Sequence, residues 1–146
     1  MNSKETEHTL LQGEVEEDAA QLKFTKEFES VGCDALLTSE VYMLLEHRRQ
    51  QSERKEEIED LPEVFVKTLN YTRRLAQFRN RDAIRAVRAV FADKPLHKVE
   101  VAQLANLLPD TIEEAKSLIQ SLENGRIDDE QLEEILRELN AKKTFQ

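Results

Sequence analysis

Residues 96–122 read LHKVEVAQLANLLPDTIEEAKSLIQSL, which is two amphipathic helices meeting at a proline. Val101, Leu104, Ala105 and Leu108 recur at helical spacing, and Ile112, Ala115, Ile119 and Leu122 resume the pattern after the break. Each helix therefore has one apolar stripe to bury. Pro109 cannot continue the first helix, since it lacks an amide donor and its ring clashes with the preceding turn. Asp110-x-x-Glu113 or Thr111-x-x-Glu114 then offers the second helix a capping box, which satisfies backbone donors left open at its start. The corner is specified locally, and the packing must come from elsewhere in the chain.

Working outward, Asp60-Leu61-Pro62-Glu63 is an Asp-x-x-Glu capping box with proline in the first turn, where its missing donor does no harm. Leu61, Phe65, Leu69, Thr72, Leu75 and Ala76 line one face of the helix that follows. Asn80 is placed to cap the next, whose stripe is Ala83, Ile84, Val87, Val90 and Phe91, and Asp93-Lys94-Pro95 stops it. Downstream, Gly125 ends a helix and Asp128-x-x-Gln131 starts another, with Ile127 and Leu132 spaced as a hydrophobic staple. Leu132, Ile135, Leu136 and Leu139 complete its buried side. Residues 60–146 thus predict a compact bundle of about five short helices.

The N-terminal third has a different character. Residues 1–19 hold six acids against Lys4, with few large apolar side chains, the composition of a disordered tail. Gln21-Leu22-Lys23-Phe24-Thr25 alternates polar and apolar residues, which predicts one short extended segment with Leu22 and Phe24 on one face. Phe28 and Cys33 follow in an irregular link. Leu37, Val41, Leu44 and Leu45 then mark an amphipathic helix, capped by Thr38 or Ser39 and running to about Gln50. Residues 20–50 therefore read as a partner-binding arm and helix, and 51–59, rich in charge, as a solvated linker. The extended segment reads either as a flexible arm packed by chance contacts or as a strand added to a partner's open sheet edge. An unpaired strand and an apolar helix are costly to leave in water, which favours an arm that meets a protein partner. The fold class is all-α, with one short strand in the arm.

Composition agrees with this reading. Across 146 residues, 35% are charged and 39% hydrophobic, with no Trp, three Gly and three Pro, so apolar stripes are narrow and tight turns few. The 21 Lys and Arg against 30 Asp and Glu give a net charge of -9, which disfavours nonspecific nucleic-acid binding by the whole molecule. A single cysteine, Cys33, excludes an internal disulfide framework and a thiolate metal cluster. No apolar run approaches the ~20 residues of a membrane span.

Charge is unevenly distributed. Between Lys67 and Arg88 there are seven bases and one acid, Asp82. Arg81, Arg85 and Arg88 share a helix face, and with Arg73 and Arg74 they are candidates to contact RNA, since guanidinium forks suit phosphates. Tyr71 and Phe78 lie nearby for base stacking. The competing assignment pairs these arginines with acids of the same chain; residues 110–138 contain ten acids and three bases.

Other constellations are weak. Asn124-Gly125-Arg126-Ile127-Asp128 imitates the middle of a calcium loop, but the alignment puts Gln120, Leu122 and Gln131 where carboxylates are required. His8, His47 and His97 are dispersed, with no metal or phosphate motif around them. No nucleophile, base and oxyanion site assemble. The residues predict no catalytic, cofactor or metal site, and hence no enzyme.

Several segments carry a resemblance to a known family. These are residues 15–22 (VEEDAAQL), Leu44-Leu45-Glu46-His47-Arg48, residues 67–72 (KTLNYT), residues 96–122 and the closing Lys143-Thr144-Phe145-Gln146. Together they resemble the fourth-largest, stalk subunit of eukaryotic RNA polymerase II, within a family that also has archaeal RNA polymerase members. The similarity spans roughly residues 14–146.

That resemblance implies a non-catalytic nuclear subunit, active in initiation and in handling nascent RNA. Its partners would be an OB-fold stalk subunit, met through Leu22, Phe24, Phe28, Leu37, Val41, Leu44 and Leu45, and the polymerase II core. RNA contact would lie mainly with the OB-fold partner, and the bundle would resemble the HRDC-like module of helicases. The equivalent stalk subunit of RNA polymerase III, or a free-standing helical nucleic-acid-binding module, are the alternatives.

Overall fold

The computed structural model describes residues 16–55 and 61–144, and it is all-α, with no strand among the described residues. The chain divides into two compact units, Met1–Asp34 and Ala35–Gln146.

In the first unit, the expected extended segment is replaced by a turn. A 3-10 helix at Ala19–Gln21 is capped by Asp18, whose carboxylate accepts the Ala20 amide at 3.0 Å. Leu22 then takes a left-handed conformation, φ 55°, which folds the chain back. Asp18 and Lys23 exchange two backbone hydrogen bonds of 2.9 Å. The alternation of Leu22 and Phe24 therefore does not lay them along a strand, because the backbone closes on itself locally. Helix α1 (Lys26–Glu29) follows, with the Thr25 hydroxyl accepting the Phe28 amide at 3.2 Å. The Phe24 and Phe28 rings meet at 5.0 Å, tilted by 53°, within the range of favourable aromatic pairs.

The second unit holds α2 (Thr38–Arg54), α3 (Glu63–Leu75), α4 (Arg81–Val90), α5 (Lys98–Leu107), α6 (Ile112–Leu118), a 3-10 turn (Gln120–Asn124) and α7 (Asp129–Thr144). The bundle from residue 61 thus has the five helices the periodicity predicts. Helix α2, however, lies in the same compact unit, and it continues four residues beyond Gln50, into the segment read as linker. Arg49 bridges Glu46 and Glu53 along its surface, and such i, i+3 and i, i+4 pairs support a helix after its apolar stripe has stopped. Linker residues 56–59, the Asp60 cap and tail residues 1–15 lie outside the described residues.

Helices α2 and α3 run antiparallel. The Phe78 amide, just past α3, donates to the buried Ser39 hydroxyl at the start of α2, at 3.0 Å, and Arg73 reaches Glu46 midway at 3.5 Å. The start of α2 is not capped by Thr38 or Ser39. Glu40 turns back to accept the Leu37 amide at 2.8 Å, and the Asn106 side chain accepts the Thr38 amide at 2.9 Å.

Elsewhere the predicted caps form. Asn80 accepts from Ala83 at 2.8 Å, Thr111 from Glu114 at 3.1 Å and Asp128 from Gln131 at 2.7 Å. The staple residues Ile127 and Leu132 are both buried. The core runs through Leu37, Phe78, Val87, Leu104, Ala115, Ile119, Leu122, Leu132, Ile135 and Leu139.

The helix expected to run unbroken through Leu122 stops at Leu118. Ile119 leaves helical geometry, at φ -124° and ψ 86°, and a 3-10 turn carries Leu122 into the core. Glu100 accounts for the break. This fully buried carboxylate accepts the His97 amide at 2.9 Å, the Ser121 hydroxyl at 2.8 Å and the Arg126 guanidinium at 2.5 Å. One side chain closes the start of α5 and holds residues 121–126 against it.

Candidate functional site

Several ionic groups in the second unit pair with one another, and beside them lies an apolar groove edged by two arginines that belong to none of those pairs. It lies between the start of α2 and α4, with a volume of about 280 Å³. Leu36, Met43 and Leu44 supply one wall and Ile84 the floor, while Glu40, His47, Arg81 and Arg85 edge it. Leu36 is 47% and Leu44 61% exposed. Scattered exposed leucines are ordinary on a protein surface. Here two of them share a concavity, which is the feature that marks an interaction site.

The electrostatics of the edge are asymmetric. Glu40 is engaged by Arg88, which donates to it at 2.5 and 3.3 Å and to the Ala35 carbonyl at 3.1 Å. His47 hydrogen-bonds Gln51 at 3.0 Å. Arg81 and Arg85 are exposed and form no ion pair among the described residues. Further along α2, the Arg49 hydrogen bond holds the Glu46 carboxyl below its ordinary value, against partial burial, with Gln50 and Arg73 assisting.

The residues predicted from sequence divide across the structure. Leu37 is 1% exposed and belongs to the core, so it is withdrawn from the set that faces a partner. Val41 and Leu45 are half-buried and Leu44 is exposed. Leu22, Phe24 and Phe28 are half-buried in the first unit. Of the arginines considered for RNA, Arg88 holds Glu40, and Arg73 holds Glu46 and Asn70. Arg74 is exposed on α3. Phe78, considered as a stacking ring, is fully buried, whereas Tyr71 is 54% exposed.

Sequence reading missed Leu36, Met43 and Ile84 as groove residues. The Leu36-Leu37 doublet carried a signal, because adjacent residues ahead of a helix point to different sides and only one can enter the core. The pairing of Arg88 with Glu40, 48 residues apart, carried none.

No cluster of three or more His, Cys, Asp and Glu able to hold a metal occurs among the described residues. No helix among them is long and apolar enough to cross a membrane.

Residues 35–142 match the family model described as RNA polymerase Rpb4, beginning where the second compact unit begins. The chain is 38% identical to DNA-directed RNA polymerase II subunit 4 of Arabidopsis thaliana, covering 93% of this chain and 100% of that protein. It is 36% identical to subunit rpb4 of RNA polymerase II from Dictyostelium discoideum, over 89% of this chain and 91% of that one. With the corresponding Schizosaccharomyces pombe protein the identity is 40%, over 90% and 95%.

Proposed function

Because the chain belongs to the RNA polymerase Rpb4 family, we infer that it is a non-catalytic subunit of DNA-directed RNA polymerase II and works in the nucleus. It pairs with an OB-fold stalk subunit, supports initiation, and leaves most contact with nascent RNA to that partner. The observation that carries this reading is the similarity, over 89–93% of this chain, to polymerase II subunits 4. Those names favour polymerase II over polymerase III.

The physical chemistry supports a binding role. The partner-facing set is Leu22, Phe24 and Phe28 of the arm, with Val41, Leu44 and Leu45 of α2. A leucine left 61% exposed on a helix gains roughly 1–2 kcal/mol if a partner buries the remainder. Few such anchors are needed, since a minority of interface residues carries most of the binding energy.

The test is affinity purification of the tagged chain from nuclei, with mass spectrometry of what co-purifies. An OB-fold stalk subunit together with polymerase II core subunits is the expected result. Recovery of subunits peculiar to polymerase III would move the assignment there. Recovery of no polymerase subunit would refute it.

A further inference from the structure

The composition of the groove between α2 and α4 specifies what fills it. Its walls are apolar, built from Leu36, Met43, Leu44 and Ile84, and the one ring in its lining is the His47 imidazole at the edge. Base stacking is a main source of affinity for single-stranded nucleic acid, and no Phe, Tyr or Trp face is present in the lining to serve as its platform. At about 280 Å³, and with roughly 30 Å³ for each water in the liquid, it has room for a few side-chain groups. Arg81 and Arg85 stand one helical turn apart at its edge. Both are exposed and neither is ion-paired among the described residues, whereas Arg88, next on the same face, is held by Glu40. Two uncompensated guanidinium groups beside an apolar floor, in a chain of net charge -9, complement carboxylates that flank an aliphatic side chain.

We propose that this groove seats an acidic segment of the stalk partner. One or two aliphatic side chains enter between Leu36, Leu44 and Ile84, and neighbouring carboxylates meet Arg81 and Arg85. The assignment rests on the reading of the chain as a stalk subunit, and it adds the chemistry of the contact. The two arginines are separated by about 6 Å of helix rise. Carboxylates at i, i+4 on a helix span the same distance, as do those at i, i+2 on an extended segment, about 6.6 Å. Apolar anchoring supplies affinity, and edge charges supply register and association rate.

The experiment titrates the full chain with the OB-fold stalk subunit of the same organism, at low and at physiological salt. Leu44→Ala is expected to weaken pairing about tenfold or more at both salts, as a buried anchor does. Arg81→Glu with Arg85→Glu is expected to weaken it about tenfold at low salt and to flatten its salt dependence. The double Lys variant keeps the salt dependence while losing the bidentate fork. All three side chains are exposed, and thermal melting checks that each variant remains folded. If the double Glu variant pairs as tightly as the unaltered chain, the groove assignment falls and the stalk reading stands. If the unaltered chain does not pair, both fall. If pairing is unchanged while binding to a single-stranded oligouridylate weakens, the groove is an RNA contact and the assignment is overturned.

Discussion

Arg88 donates to Oε1 of Glu40 at 2.5 Å, and that same oxygen accepts the amide of Leu37 at 2.8 Å. One carboxylate thus closes the first turn of α2 and ties α2 to α4. Arg88 also holds the Ala35 carbonyl, so the segment leading into α2 is fixed at two points. The two side chains are 30% and 22% exposed, a degree of burial at which a forked pair outweighs an ordinary surface one. Arg88→Ala is expected to cost about 1–2 kcal/mol, seen as a lower urea midpoint with unchanged slope. Arg88→Lys recovers only part, because an ammonium cannot fork. A loss below about 0.5 kcal/mol, the level of an ordinary surface substitution, would return Arg88 to the exposed basic face.

Glu100 presents the stronger case, because it is completely buried. Its charge is answered by Arg126, Ser121 and the His97 amide. Removing one partner of a buried pair costs about 3–5 kcal/mol. Arg126 is 36% exposed, so water can partly replace it, and Arg126→Ala is expected to cost about 2–3 kcal/mol. Ser121→Ala is expected to cost about 1 kcal/mol. The two changes act on one carboxylate, so their combined effect in chemical denaturation should depart from additivity by more than about 0.5 kcal/mol. Additive losses would mean that each side chain stabilises the turn independently of Glu100.

The charged surface of α2 predicts a pH dependence of definite sign. The Arg49 hydrogen bond, the largest cause, lowers the Glu46 pKa from its ordinary 4.5. A carboxyl whose folded pKa is depressed contributes stability above its unfolded pKa and loses it as pH falls through the folded one. Glu46→Gln should therefore destabilise at neutral pH, by about 0.2–1 kcal/mol for a pair this close to solvent. The difference from the unaltered chain should shrink through the carboxylate range and vanish below it. Lys116, raised by its hydrogen bond to Asp129, behaves in the opposite sense: its contribution is full at neutral pH and lost as pH rises through its raised pKa. Urea denaturation at acidic, neutral and alkaline pH checks both, and a Glu46→Gln deficit that grows on acidification would contradict the first.

How far the sequence discloses the fold depends on how local each cause is. Asn80, Thr111 and Asp128 cap their helices because side chain and amide lie within three residues, and the stripes from Ile84 to Leu139 enter the core their spacing requires, whereas Leu75, placed on the α3 stripe by the same spacing, is 48% exposed. The break after Leu118 comes from Ser121 meeting Glu100, and the start of α2 from Arg88 meeting Glu40. Those meetings are tertiary, and no periodicity encodes them. The same limit governs the candidate site. Leu44 and Arg81 stand out in the sequence for separate reasons, and only the packing of α2 beside α4 brings them to one groove. Leu37, identical to Leu44 in chemistry and stripe, is drawn into the core because it precedes the first turn.

Leu108 sets two opposing effects against each other at the corner where the sequence is most explicit. It ends α5 with φ 47°, a left-handed conformation in which its amide donates to the Leu104 carbonyl at 2.9 Å. Glycine favours this geometry, and a side chain there costs roughly 1 kcal/mol or somewhat more. Yet Leu108 is only 7% exposed and is part of the core, and truncating a buried leucine costs about 2–5 kcal/mol. Burial therefore outweighs strain. Leu108→Gly should destabilise by about 1–3 kcal/mol even though it relieves the backbone, with glycine's added unfolded-state freedom contributing to the loss. Leu108→Asn, which tolerates the conformation but brings an amide into an apolar site, should cost at least as much. A glycine variant as stable as the unaltered chain in urea would mean that backbone strain, and not burial, decides this corner.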